Sequence, residues 1–225
     1  GLQVEGKAEI QKIVTGVTAS QTLIDYAAAQ GADAVLVHHG YFWKNENPCI
    51  RGMKGKRIKT LLLNDINLYA YHLPLDVHPE LGNNAQLAAL LGIENLQPLE
   101  SGAVSIPVWG ELREPLSGVA FEHRIERALN RKPLACLNGP QLIRKIGLCS
   151  GGGQGYIDLA VAQGCDAFIT GEVSEQTIHS AREQNIHFFA AGHHATERYG
   201  IQALGEWLAK EYGLEVEFKD IDNPA

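Results

Sequence analysis

Residues 13–40, IVTGVTASQTLIDYAAAQGADAVLVHHG, align without gaps on residues 146–173, IGLCSGGGQGYIDLAVAQGCDAFITGEV, at a constant offset of 133. Ten of the 28 positions are identical, among them Ile24/Ile157, Asp25/Asp158, Gln30/Gln163, Gly31/Gly164 and Asp33/Asp166. Two unrelated strand–helix–strand units would share a glycine and some alanines by chance, but hardly a glutamine and two aspartates as well. The chain therefore reads as two related α/β halves.

Each copy carries the signals of a βαβ unit. KIVTGVT, 12–18, is rich in β-branched residues and predicts a strand. Ser20 is placed to cap a helix in which Leu23, Ile24, Ala27 and Ala28 share a face, and Gly31 closes it. ADAVLV, 32–37, predicts an apolar strand ending at Val37, with a turn at Gly40. A helix near 55–64 then leads to a third strand, INLYAYH, and residues 84–92 read as helical. After residue 98 the character changes: strand-like alternation with a proline in SGAVSIPVWGEL, an amphipathic helix in LSGVAFEHRIERALN, then strands at PLACL and RKIGLCS. The second copy follows, with its own third strand, IHFFAAGHH. A capped helix near 196–211 and an alternating strand, LEVEFKDI, end the chain. We place the first half at 1–98 plus 188–225 and the second at 99–187.

Ligands of parallel α/β sheets bind beyond the carboxyl ends of the strands. Here those ends carry histidine and carboxylate. One gives His38-His39, one His72-Leu-Pro-Leu-Asp76, one His193-His194-Ala-Thr-Glu197, and the repeat partner of the first gives Thr170-Gly-Glu172. His193 and Glu197 lie four apart at a helix start and share a face. Imidazole plus carboxylate suits Zn, Mn, Fe, Ni or Co. His38, His39, Asp76, His193 and Glu197 exceed what one tetrahedral site needs and suit two metals with a shared carboxylate. His72, His194 and Glu172 are candidates for proton transfer or for supporting the ligands. SGGGQGY, 150–156, is neither a Walker A loop nor a GxGxxG match and reads as a tight strand–helix turn.

The remaining sequence narrows the partners. A net charge of −7 with no long basic run lacks the footprint of a dedicated duplex-DNA binder. Four cysteines without a CxxC pair suit a reducing cytoplasm, and no apolar stretch is long enough to span a membrane.

GLQVEG, GADAVLVHHG, the His-Leu-Pro-Leu-Asp stretch followed by GNN, DAFITGE and GHHATER together resemble the GTP cyclohydrolase 1 type 2 family, also called the NGG-interacting-factor family, over essentially the whole chain. The likeness is greatest to its short bacterial members. It implies two intertwined α/β halves related by a pseudo-twofold, with mixed sheets flanked by helices and a metal cleft between them. It implies a dinuclear centre and a toroidal homohexamer. By this likeness His38 and His193 would hold one metal, His39 and Asp76 the other, and Glu197 would bridge them. Hydrolysis of a nucleotide or purine-type small molecule follows from the family name, with opening of the guanine imidazole ring of GTP as the specific case. The other name, from a protein interaction, implies instead a non-enzymatic, ring-shaped metal-binding or partner-binding scaffold. Members begin with a helical segment ahead of GLQV, and position 1 here is Gly, so the natural N-terminus is expected to lie upstream.

Overall fold

The structure is a computed structural model and describes residues 1–102 and 104–225. In chain order its elements are β1 (Leu2–Val4), β2 (Lys12–Thr18), α1 (Gln21–Ala29), β3 (Ala34–His39), α2 (Gly52–Leu63), β4 (Asn67–Ala70), α3 (Leu73–Asp76), α4 (Asn83–Leu91), β5 (Ile93–Pro98), β6 (Val108–Leu116), α5 (Gly118–Leu129), β7 (Leu134–Leu137), β8 (Ile143–Cys149), α6 (Ile157–Ala162), β9 (Ala167–Thr170), α7 (Glu175–Glu183), β10 (His187–Ala190), α8 (His193–Tyr212) and β11 (Glu215–Phe218). They build two mixed sheets flanked by helices.

The chain divides into two compact units, residues 1–75 with 201–222 and residues 76–200 with 223–225. The boundaries expected at 98 and 188 differ from this division, for a physical reason. Strand β5 pairs with β6, and Leu87, Ala88 and Leu91 of α4 pack in the same core as Leu112 and Phe121. Strand β10 pairs with β9 from His187↔Ala167 to Ala190↔Thr170. Sheet pairing thus carries 76–98 and 188–200 into the second unit.

The first unit holds a sheet ordered β1-β4-β3-β2-β11. Strands β2, β3, β4 and β11 run parallel and β1 is antiparallel at one edge. Successive residues alternate between two cores. Val14, Val35, Val37 and Leu68 face Leu23, Ile24, Ile58 and Leu61 of α1 and α2, while Ile13, Val17 and Leu36 face Ile201 and Leu204 of α8. Both faces are covered, so these strands are apolar on both sides.

The second unit holds a sheet ordered β5-β6-β8-β9-β10-β7. Its parallel centre, β8-β9-β10, repeats the β2-β3-β4 order of the first, and each is closed by an antiparallel neighbour at the third strand. Helix α5 offers Phe121, Ile125 and Leu129 to this core at helical spacing. The sequence read alternation from Ser101. Ala103 lies outside the described residues, and β6 starts only at Val108, after Pro107. Strands β1 and β5 were not anticipated.

The duplicated aspartates explain why they recur. Asp33 Oδ2 accepts the backbone N–H of Gln11 and Lys12, and Asp166 Oδ2 accepts those of Arg144 and Lys145. Each carboxylate ties the start of its own strand to that of the preceding one. Gly31 (φ 65°) and Gly164 (φ 73°) make the left-handed turns that precede them. The Lys7 ammonium beside Asp33, helped by the two backbone donors, holds its carboxyl at about 2 instead of 3.8. A lowered carboxylate value means its stabilisation is complete above 3.8 and is lost as pH falls through about 2. Asp33→Ala should therefore lower stability by about 1–2 kcal/mol at pH 7, mostly through the two lost backbone bonds and little through the exposed Lys7 pair. Urea unfolding at several pH values checks this; the difference should shrink towards pH 2.

Candidate metal centre

The first unit collects its imidazoles at the carboxyl end of the sheet. Strand β3 does not stop at Val37. It continues through both histidines, pairing as far as Thr18↔His39. Strict alternation would send the two rings to opposite faces. Their centroids nevertheless lie 4.5 Å apart, with a 47° tilt, and His72 lies 5.0 Å from His38 and 5.4 Å from His39. Both rings must therefore lean over the end of the sheet towards His72, two residues past β4. Ligand nitrogens of the three lie within 4.8 Å of one another. The Nδ1 of fully buried His38 is 2.9 Å from the carbonyl of Tyr71, which can only accept. That bond selects the tautomer with the lone pair on Nε2, the form a metal needs. Thr18 Oγ1 lies 3.2 Å from Nδ1 of His39.

The second unit collects carboxylates around one further imidazole. Glu197, on the second turn of α8, is 3% exposed, and Asp76, at the end of α3, is 6% exposed. Each offers an oxygen within 4.8 Å of the other. Burying two like charges that closely is costly unless cations neutralise them. Asp76 Oδ1 accepts from Asn83 Nδ2 at 2.9 Å and Ser150 Oγ at 3.3 Å. Asn83 accepts in turn from the Gly200 N–H, and Asn84 accepts from the Ser150 N–H. His193 stands between two acids, Nε2 at 3.2 Å from Glu197 Oε2 and Nδ1 at 2.7 Å from Glu172 Oε1. A carboxylate on the far nitrogen of an imidazole is the usual support of a metal-binding histidine.

The glycine turn has a role that its sequence did not reveal. A Cβ on Gly151 (φ 62°) would lie 2.1 Å from Glu197 Oε1 and 3.0 Å from His193 Nε2. The Gly151 N–H donates to Thr196 Oγ1, and its carbonyl accepts from the Gly171 N–H and from Thr170 Oγ1. The turn is thus a backbone wall against Glu197 and His193, and only glycine fits it. Cys149 beside it is pushed up to about 12, by burial first and by Asp76 and Glu197 next, so it remains a thiol.

Hydrogen bonding to Glu197 raises His193 to about 9, helped by the Glu197 charge and by Glu172, against an opposing desolvation. An imidazole raised that far favours its protonated form at neutral pH, and binding a metal through it would expel the proton.

The expected residues fall into two sets. His38, His39 and His72 converge in one unit; in the other, Glu197 lies close to Asp76 and pairs with His193, which Glu172 meets from its other nitrogen. His194 is buried in the same helical turn, its N–H bonded to the Ala225 carbonyl, but lies outside the converging groups found among the described residues. The Nδ1 of His78 accepts from the N–H groups of Glu80 and Leu81 and so shapes its own turn. Asn83, Ser150, Gly151 and Thr196 were missed as parts of the site. The only signals were GNN after Asp76 and the glycine run after β8.

Fold and site together define a duplicated α/β protein whose strand ends carry imidazole and carboxylate groups of the kind that bind divalent cations. The chain belongs to the Duf34/NIF3 (NGG1p interacting factor 3) family, whose sequence profile matches residues 1–224. It is 81% identical over 226 residues to the GTP cyclohydrolase 1 type 2 homolog of Haemophilus influenzae, a match covering 100% of this chain and 90% of that protein. It is 64% identical to the homolog of the same name from Escherichia coli (strain K12), with the same coverage. The solved structure of protein ybgI, described as of unknown function, superimposes with a TM-score of 0.96 at 63% identity, covering 100% of this chain and 90% of the other.

Two outcomes follow. In metal-free protein His193 should titrate near 9, and Glu197→Gln should bring it down towards 6.5, as read by imidazole NMR shifts. Gly151→Ala, which drives a methyl into the Glu197 carboxylate, should cost about 10–100-fold in metal affinity, the range for disturbing the support of a ligand, as read by competition with a chelator.

Proposed function

We propose that this protein is a dinuclear metal-dependent hydrolase acting on a nucleotide or purine-type substrate. The observation that carries the reading is the buried pair Asp76 and Glu197, with oxygens within 4.8 Å and His193 at 3.2 Å from Glu197, a carboxylate and imidazole donor set suited to divalent cations. His38, His39, Asp76, His193 and Glu197 are the ligands in this proposal, with Glu197 shared, as the family likeness implies. When bound, a pair of divalent ions activates water and stabilises the charge of a hydrolytic displacement.

The chain's own groups have distinct tasks around such a centre. The Tyr71 carbonyl fixes the tautomer of His38, and Glu172 aims His193 from its Nδ1 side. Asn83 and Ser150 hold Asp76 through Oδ1. Glu172 is thus a positioning residue, which favours the supporting role over that of a base. His72 lies beside both His38 and His39 but is no ligand in this set, so it is the group to carry a proton to or from the substrate. Ring opening of GTP is the specific reaction that the names of the relatives suggest, and released formate would report it.

Protein reconstituted separately with Zn, Mn, Fe, Ni or Co should turn over at least one member of a panel of GTP and modified or damaged nucleotides. His39→Ala and Glu197→Ala should lose metal and at least about a hundredfold in turnover. His72→Gln should keep its metal and lose turnover. A panel without any turnover, or ligand variants that keep full rate, would refute the hydrolase.

A further inference from the structure

The two copies of the duplicated unit differ most just after His39. Twelve residues, 40–51, connect β3 to α2, whereas four, 171–174, connect β9 to α7. One copy thus carries an insertion at the carboxyl end of its strand, where α/β sheets receive ligands. The insertion and the start of α2 together differ in charge from the rest of the chain. From Lys44 to Lys59 there are six cations and one acid, Lys44 and Arg51 in the insertion and four cations on α2, which leaves 13 cations against 25 acids elsewhere. The insertion also exposes aromatic surface, 50% for Phe42 and 45% for Trp43. The indole stands edge-on to His72, centroids 4.8 Å apart, and 6.1 Å from His39.

The loop is built to hold that indole in place. Gln3 both donates to and accepts from the Tyr41 backbone, and the Tyr41 hydroxyl donates to the Ala19 carbonyl. The Trp43 backbone N–H donates to the Glu46 carboxylate, and the Glu46 backbone N–H returns to the Trp43 carbonyl. Lys54 pairs with Glu46 at 3.3 Å, donates to the Asn47 carbonyl and sits 5.7 Å from the Phe42 ring centre. Phe42 is held at φ 62°, a conformation bulky residues seldom adopt, and strain of this kind gathers at ligand clamps.

We propose that this insertion is the recognition loop for a mononucleotide: Trp43 stacks on the base, and Lys44 and Arg51 contact the phosphates. The reaction at the bound nucleotide rests on the hydrolase reading above; the binding does not. A π-face beside a local cationic segment matches a planar base carrying phosphate. A single basic segment on an otherwise acidic chain serves one phosphate group and offers no track for a polymer backbone.

Calorimetric titration of the full chain, chelator-stripped and Zn-reconstituted, against GTP, guanosine, inorganic tripolyphosphate and a short oligothymidylate tests this. GTP should bind more tightly than guanosine or tripolyphosphate. Trp43→Ala should weaken GTP and guanosine alike by about tenfold, and Trp43→Phe should recover most of that. Lys44→Ser with Arg51→Ser should weaken GTP and leave guanosine unchanged. Unaltered GTP affinity in Trp43→Ala, no nucleotide binding by the wild type, or binding of the oligothymidylate without GTP would overturn the proposal. Nucleotide binding without turnover would sink the hydrolase and keep the loop. Turnover whose KM is indifferent to Trp43→Ala would do the reverse.

Discussion

Two carboxylates buried within 4.8 Å of each other are the constraint around which the second unit is arranged. Asp76 and Glu197 come from a single-turn helix and from the start of α8. Their shared environment is prepared by groups that have little other reason to be polar and buried. Asn83 is fully buried, Asn84 is 3% exposed and Ser150 is 7% exposed. Each bonds to Asp76, to the turn that follows β8 or to the backbone of α8. A hydrophobic substitution at any of them would leave a buried donor or acceptor unmet. The polar network therefore reads as support for a charge that the fold keeps dry.

The duplication explains both the frame and the division of labour. In each copy an aspartate at the second strand clamps the backbone of the first, so the parallel strands start in register. Register at the start fixes what stands at the end. At the end the copies diverge: His38 and His39 in one, Gly171 and Glu172 in the other. The histidine copy supplies imidazoles. The glycine copy supplies close backbone packing, since a Cβ on Gly171 would lie 2.7 Å from the Gly151 carbonyl and from the Cα of His193. A repeated scaffold has thus been given two different chemistries at equivalent points.

Much of this was legible in the sequence, and the failures have physical causes. The periodic elements were clear: β2, α1 with its Ser20 cap, α4, α5 and β11 match local pattern because local pattern makes them. Strand β5 was not anticipated because it has little apolar alternation to declare it, and its place is set by pairing with β6. The end of β3 was placed two residues early because the apolar run stops at Val37, while pairing with β2 carries the strand through His39. The histidines and acids were visible as types at strand ends. Asn83, Ser150 and Gly151 were not, because their roles depend on contacts to residues far along the chain. Trp43 lay in plain view beside the histidine pair, and only its placement against His72 gave it meaning.

In the proposed hydrolase, imidazoles and buried carboxylates would serve two metal ions per chain. Crystals of the reconstituted protein, measured on both sides of the metal's absorption edge, test it most directly. Two anomalous peaks per chain, about 3.5–4 Å apart, are expected. One should contact His38 and His193, the other His39 and Asp76, with Glu197 touching both. A single peak held by His38, His39 and His72 alone, or no peak near Asp76 and Glu197, would contradict it.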